Sequence, residues 1–204
     1  MNVMNIYLLI MIIFSYLYGS IPFALVIGKL FYGVDVREYG SGNLGGTNTG
    51  RILGKKAGLT CIILDILKCF VCVAVTKLVT PVFHLANYAI YVSAVACVIG
   101  HCYPIFAKFK GGKAASVMFG YAFANSFFTF AVIGIIFLVI LKISKYVSLA
   151  SIVAVISLVI LSPLFNYGTF GFICNIFIAL LLIYRHRENI KRIKDGTERK
   201  ITWM

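Results

Sequence analysis

The apolar residues of this chain fall in long runs, and the polar ones in short clusters between them. A helix that crosses a bilayer needs about 20 apolar residues, with shorter and longer cases tolerated. Runs of this kind cover 3–31, 57–79, 85–106, 114–141, 146–161 and 168–184. Gly19 and Pro22 punctuate the first, and the polar pair Asn125-Ser126 breaks the long fourth. The pattern predicts an all-α integral membrane protein built as one transmembrane domain over 1–204. No solenoid-period repeat and no long linker marks a second domain.

The charges of the connections decide how the fourth run is counted. Segment 33–56 holds Arg37, Arg51, Lys55 and Lys56, whereas 80–86 has no Lys or Arg. Lys108, Lys110 and Lys113 then cluster, Asn125-Ser126 is uncharged, Lys142 and Lys145 are basic, and 162–167 is uncharged. The tail is basic again, from Arg185 through Lys200. Basic and neutral connections alternate strictly if 114–141 is a hairpin turning at Asn125-Ser126. Cytoplasmic loops collect Lys and Arg, so this count gives about seven crossings, with the N-terminus outside and the C-terminus in the cytoplasm. Each arm has only about 12 to 15 residues, short for a full crossing, and a re-entrant hairpin with a buried turn is the alternative. A single tilted span would give six helices and put Lys142, Lys145 and the basic tail outside, against the charge rule.

Composition agrees with lipid as the solvent. The chain has 204 residues, is 61% hydrophobic and only 12% charged, where soluble domains carry about a quarter charged residues. The net charge is +13. Topology explains much of that excess, and an anionic substrate is the sharper explanation. No basic soluble domain stands apart, which argues against nucleic acid. The first Lys or Arg is Lys29, so no basic region precedes the first apolar run and it reads as a retained helix. Cys69 and Cys72 form a C-x-x-C, but they lie in an apolar run with no second pair for a metal, and packing explains all six cysteines better.

Asp65 and Lys68 sit inside the second run as an i, i+3 pair. Ionisable groups within a span are costly and are functional candidates by default. A mutually neutralising pair that locks helix packing is the equal alternative.

Three polar motifs fall on the face predicted to be cytoplasmic. The first runs from Glu38 to Arg51 and holds Gly40, Ser41, Gly42, Asn43, Gly45, Gly46, Thr47, Asn48 and Gly50. Its glycines allow close backbone approach and positive φ. Ser41, Asn43, Thr47 and Asn48 supply hydroxyls and amides, Thr47 or Asn48 is placed to cap a short helix, and Arg51 offers a planar fork for phosphate. The second runs from Gly100-His101 through Lys108, Lys110, Gly111, Gly112 and Lys113. A Gly-Gly turn between lysines suits a backbone nest for phosphate, although the spacing is not that of a Walker loop and Ala114 stands where Ser or Thr would hold magnesium. The plainer account is a set of juxtamembrane lysines, with His101 an interfacial packing residue. The third is Arg185 to Ile193, where His186 and Asn189 share a face if the last helix continues. By itself it reads as a basic amphipathic tail on anionic lipid.

Together the three motifs resemble the bacterial membrane-bound glycerol-3-phosphate acyltransferases that use acyl phosphate as donor. The resemblance runs from Gly19-Ser20-Ile21-Pro22-Phe23 through Gly40–Arg51, His101, Lys110–Lys113 and Arg185–Asn189, so it spans nearly the whole chain in order. Asp65 and Lys68 also fit that family's second helix. The family's reaction moves an acyl group from acyl phosphate to the 1-hydroxyl of sn-glycerol 3-phosphate, at the inner face of the bacterial cytoplasmic membrane. The resemblance implies a catalytic set of Ser41, Arg51, Lys113, His186 and Asn189. It implies substrate contacts at Gly42, Asn43, Thr47, Asn48, His101, Lys110, Gly111 and Gly112. It implies no metal or other cofactor and a monomer whose partners are its two substrates and the bilayer. Leu44, Gly46 and Ala114 depart from the family's usual Pro, Ala and Gly, and the Ala114 Cβ bears on how closely a ligand approaches the cradle.

Acyl phosphate is already activated, so the reaction needs positioning and charge stabilisation more than a strong nucleophile. The chain carries no convincing Ser-His-Asp set, no nucleophilic Cys motif and no acidic metal cluster. The rival function is a transporter of a phosphorylated anion. Transporters usually place their polar site near the bilayer midplane on broken helices, and only Gly19 and Pro22 offer such a break here.

Overall fold

The computed structural model describes residues 3–201. Every regular element among them is helical. Ten α-helices follow in order: α1 (Val3–Gly19), α2 (Phe23–Tyr32), α3 (Gly46–Leu53), α4 (Lys55–Val82), α5 (Ala89–Cys102), α6 (Ala115–Asn125), α7 (Phe127–Ser144), α8 (Val147–Leu161), α9 (Gly168–Arg185) and α10 (Arg187–Lys194). The chain divides into two compact units, Met1–Ala124 and Asn125–Met204.

Among the described residues five helices are long and apolar enough to cross a bilayer: α4, α7, α9, and α5 and α8 each with the 3-10 turn that follows. The first apolar run is not one rod. It breaks where Gly19 and Pro22 predict, into α1 and α2 bent by 42°, and the pair counts as a sixth span only if taken together. The fourth run breaks at the predicted place as well. Ser126 caps α7, its Oγ accepting from the Thr129 N–H at 3.3 Å. The arm before the break, α6, has 11 residues and is about 16 Å long, well short of a hydrocarbon core of about 30 Å.

In the first unit, small residues let helices approach closely, as they do generally in lipid. A Cβ on Gly19 would strike the Cys97 carbonyl, and one on Gly100 would strike the Tyr16 carbonyl, so α1 and α5 meet backbone to backbone. Hydroxyls tie a third helix to them. Ser15 and Ser93 lie 2.6 Å apart, and Thr76 of α4 donates to Ser93 at 2.9 Å. Helix α3 packs on the start of α4 in the same manner, with Gly46 and Gly50 against Gly58. Two of the first motif's glycines therefore serve helix packing. Helix α6 lies on α4 at Gly120, with Phe70 and Phe123 at 4.9 Å, and Lys77 donates to the Ala124 carbonyl at 2.5 Å near its end. All six cysteines are buried thiols within this packing or that of α9.

In the second unit α8 packs between α7 and α9, and α10 rests on α8 and α9. Asn175 of α9 donates to Ser162 at 2.6 Å, which in turn donates to the Leu158 carbonyl, closing the end of α8. Gly196, at φ 69°, turns the chain after α10. The tail returns to the α7–α8 turn, where the Ile201 N–H donates to the Lys145 carbonyl at 2.9 Å.

Candidate active site

The first motif is a loop pinned from within. Asp35 accepts from Arg37 Nε at 2.9 Å and Nη2 at 2.6 Å, with Lys29 at 3.4 Å. The Arg37 hydrogen bond holds the Asp35 carboxyl well below the usual aspartate range against the opposing effect of burial, and raises the Arg37 guanidinium in return. Asn48 is buried and locks the rest. Its Oδ1 accepts from the Ser41 N–H at 2.9 Å, and its Nδ2 donates to the carbonyls of Val36 at 3.1 Å and Tyr39 at 3.3 Å. Gly40 must be a glycine here, because it sits at φ 64° and its missing Cβ would fall on Asn48 Oδ1. Neither Thr47 nor Asn48 caps α3, as the sequence suggests. The cap is Gly45, whose carbonyl takes the Thr49 hydroxyl at 3.1 Å, and Thr47 and Asn48 lie in the first turn. This fixes Ser41 on an exposed rim and carries Arg51, also exposed, on the last turn of α3.

The second motif lies against the first. Asn43 Nδ2 donates to the Gly111 carbonyl at 3.2 Å. The Gly112 N–H donates to the His101 carbonyl at 3.0 Å, and a Cβ on Gly112 would land on His101 Nε2. Gly111 and Gly112 are buried, Lys110 is exposed and Lys113 is half-buried. His101 is itself buried, at 5% exposure, so it lies behind the glycine loop. The Ala114 backbone turns left-handed at φ 68° with its side chain fully buried. The added methyl faces the protein interior and strains the backbone.

Asp65 and Lys68 are both buried and lie 2.8 Å apart. Asp65 Oδ1 also faces His101 Nδ1 at 3.6 Å, and Lys68 donates to the Ile21 carbonyl at 3.1 Å, inside the α1–α2 break. The pair therefore reaches both the α1–α2 break and the end of α5.

The third motif is in the second unit. α9 ends and α10 begins at His186, and the Ile190 N–H donates to the His186 carbonyl at 2.9 Å, so the ladder restarts at once and His186 and Asn189 keep their i, i+3 relation. His186 is buried, with Nδ1 2.9 Å from the Leu182 carbonyl. A carbonyl only accepts, so Nδ1 carries the hydrogen and the neutral ring has its lone pair on Nε2. Asn189 Nδ2 donates to Glu198 at 2.6 Å, and Ser148 and Arg192 each donate to the same carboxylate at 2.8 Å. Burial pushes Glu198 up, but the bonds from Asn189, Arg192 and Ser148 outweigh it and hold the carboxyl below the usual range. Glu198 escapes sequence reasoning, since a lone acid in a basic tail carries no motif.

The first unit thus brings Ser41, Asn43, Asn48, His101, Gly111 and Gly112 into one hydrogen-bonded patch, with Arg51 and Lys113 on the same two segments. His186 and Asn189 are ordered in the second unit.

The family model described as glycerol-3-phosphate acyltransferase matches residues 9–196. Glycerol-3-phosphate acyltransferase 3 of Bacillus anthracis is 46% identical over 191 residues, covering 94% of this chain and 93% of that one. Two crystal structures of PlsY, an integral membrane glycerol 3-phosphate acyltransferase, superimpose with TM-scores of 0.89 for a glycerol 3-phosphate form and 0.87 for a lysophosphatidic acid form. Each is 40% identical and covers 96% of both chains.

Proposed function

The chain belongs to the glycerol-3-phosphate acyltransferase family, and from that premise we propose that it moves an acyl group from acyl phosphate to the 1-hydroxyl of sn-glycerol 3-phosphate. The observation that carries the proposal is the Asn43–Gly111 bond, which holds the loop of Ser41 and Arg51 against the glycine-lysine loop of Lys113. Two phosphates meet in this reaction, one on each substrate, and a basic, glycine-rich patch suits both.

In this account Arg51, Lys113 and the Gly111-Gly112 turn form the phosphate site, with Lys110 at the rim. Ser41, Asn43, Thr47 and Asn189 orient the glycerol part, and Gly42 and Asn48 shape the loop around it. The C1 hydroxyl oxygen attacks the acyl carbonyl carbon. The bond from that carbon to the phosphate oxygen breaks, and the hydroxyl proton passes to the departing phosphate. Products are lysophosphatidic acid and inorganic phosphate. The leaving group is its own base, so no strong protein base is needed. His186 then orients, and His186→Gln keeps a near-normal kcat. A His186→Gln enzyme that binds both substrates but has lost turnover would make it the base instead.

The charge pattern supports seven crossings, or five if 114–141 is a re-entrant hairpin, the N-terminus outside, and all three motifs at the cytoplasmic face of a bacterial inner membrane. The chain would act as a monomer, with 1–204 serving one reaction and the acyl chain lying between helices open to lipid. Purified protein given labelled glycerol 3-phosphate with palmitoyl phosphate, palmitoyl-CoA or palmitoyl-carrier-protein in parallel tests the donor. Turnover with palmitoyl phosphate alone is expected. Turnover only with a thioester would overturn the acyl-phosphate assignment, and liposome uptake of glycerol 3-phosphate without any donor would favour transport.

A further inference from the structure

A buried ion pair is a weak source of stability, because well-packed apolar residues of similar volume often do as well or better. Asp65 and Lys68 are each 1% exposed in the span α4. What sets them apart is where their remaining contacts lead. Lys68 Nζ reaches the Ile21 carbonyl beside Pro22, at the α1–α2 break. Asp65 Oδ1 faces His101 Nδ1, and Cys61 Sγ lies 3.7 Å from the other carboxylate oxygen.

His101 continues the chain of contacts outward. Its carbonyl accepts the Gly112 N–H, and the Nε2 edge of its ring lies where a Gly112 side chain would begin. With Nδ1 turned to Asp65, the ring is fixed with Nε2 toward the loop. The glycine loop therefore rests on an imidazole whose tilt is set by a carboxylate, itself set by Lys68.

We propose that Asp65, Lys68 and His101 are positioning residues for the phosphate cradle: they hold the height and tilt of Gly111-Gly112-Lys113 from behind, through the contact of the His101 ring with Gly112. This rests on the acyltransferase reading above and deepens it. It gives His101 a place behind the loop in place of the substrate contact that the sequence suggests. It also gives Gly112 a specific reason to be glycine, which is the ring beneath it.

The proposal separates binding from chemistry. Asp65→Asn and His101→Asn keep the shape of the cluster and weaken the hold on the loop. Each is expected to raise KM for glycerol 3-phosphate and Ki for inorganic phosphate by about tenfold, with kcat changed less than about threefold. Gly112→Ala is expected to be harmful alone, because its methyl meets the His101 ring. In a His101→Ala background the methyl has room, so Gly112→Ala should cost at least about fivefold less there. If the glycine were needed only for ligand approach, the two effects would be independent, and that result overturns the proposal. So would a fall in kcat at unchanged KM and Ki in the Asn variants. Absence of turnover by the unsubstituted protein with any acyl donor would instead sink the acyltransferase reading, and the phosphate titration with Gly112→Ala and the double variant, read by binding, would still decide the role of His101.

Discussion

Asn43 and Gly111 are 68 positions apart, and the amide of one donates to the carbonyl of the other at 3.2 Å. That bond joins two loops whose motifs read separately in the sequence. Asn43→Ala removes a partly buried hydrogen bond, worth about 1 kcal/mol net, so kcat/KM for glycerol 3-phosphate should fall roughly fivefold. Steady-state kinetics in detergent or lipidic mesophase measures it. An unchanged kcat/KM would mean that the two loops are held together by other means.

Ala114 holds a backbone conformation that suits glycine, at φ 68° and without exposure. The left-handed region costs an alanine about 1–2 kcal/mol, and a glycine loses about 0.5–1 kcal/mol more entropy on folding. Ala114→Gly should therefore be stabilising by about 0.5–1 kcal/mol net, a rise of roughly 1–4 °C in the thermal midpoint. A lower midpoint would show that the buried methyl contributes more packing than the backbone strain costs.

Lys68→Met leaves the Asp65 carboxylate buried beside only His101, and loss of one partner of a buried pair costs about 3–5 kcal/mol. The double variant Asp65→Leu/Lys68→Met leaves no buried charge from the pair. It should be clearly milder than Lys68→Met alone, although the Ile21 carbonyl loses its donor at about 1 kcal/mol. Thermal unfolding of the three proteins compares them. A double variant as unstable as Lys68→Met alone, or more so, would contradict the pairing.

Glu198 holds Asn189 through a carboxyl that titrates below the usual glutamate range, because the donors Asn189, Arg192 and Ser148 outweigh burial. A depressed folded value contributes stability that is fully present above the unfolded value and is lost as pH falls through the folded one. The destabilisation caused by Glu198→Gln should thus be constant from about pH 5 to 9 and shrink only below about pH 4.5. A gap between Glu198→Gln and the unsubstituted protein that closes between pH 7 and 5 would place the titration elsewhere.

Much of the architecture is legible in the chain because lipid allows few solutions. Apolar runs and their punctuation locate the helices, down to the breaks at Gly19–Pro22 and Asn125-Ser126. The small residues are harder to read. Gly46 and Gly50 look like ligand-loop glycines but bring α3 onto α4 at Gly58, and nothing local in the sequence distinguishes the two uses. Asn48 likewise looks like a ligand for substrate, yet three backbone groups occupy its amide. His101 and Asp65 lie 36 positions apart, and Glu198 meets Ser148 across 50. Such pairings depend on tertiary packing that a local pattern does not encode, so along the chain the first stands as two unrelated features and the second leaves no mark.

The most direct measurement of the central claim is phosphate release and lysophosphatidate formation from palmitoyl phosphate and labelled glycerol 3-phosphate, by the unsubstituted protein and by Arg51→Ala and Lys113→Ala. The account predicts equal amounts of the two products from the unsubstituted protein and a loss of at least about a hundredfold in kcat/KM in each variant, as removal of a charge that stabilises the transferring phosphate should give. Full activity in either folded variant, or no lysophosphatidate from the folded unsubstituted protein, would contradict it.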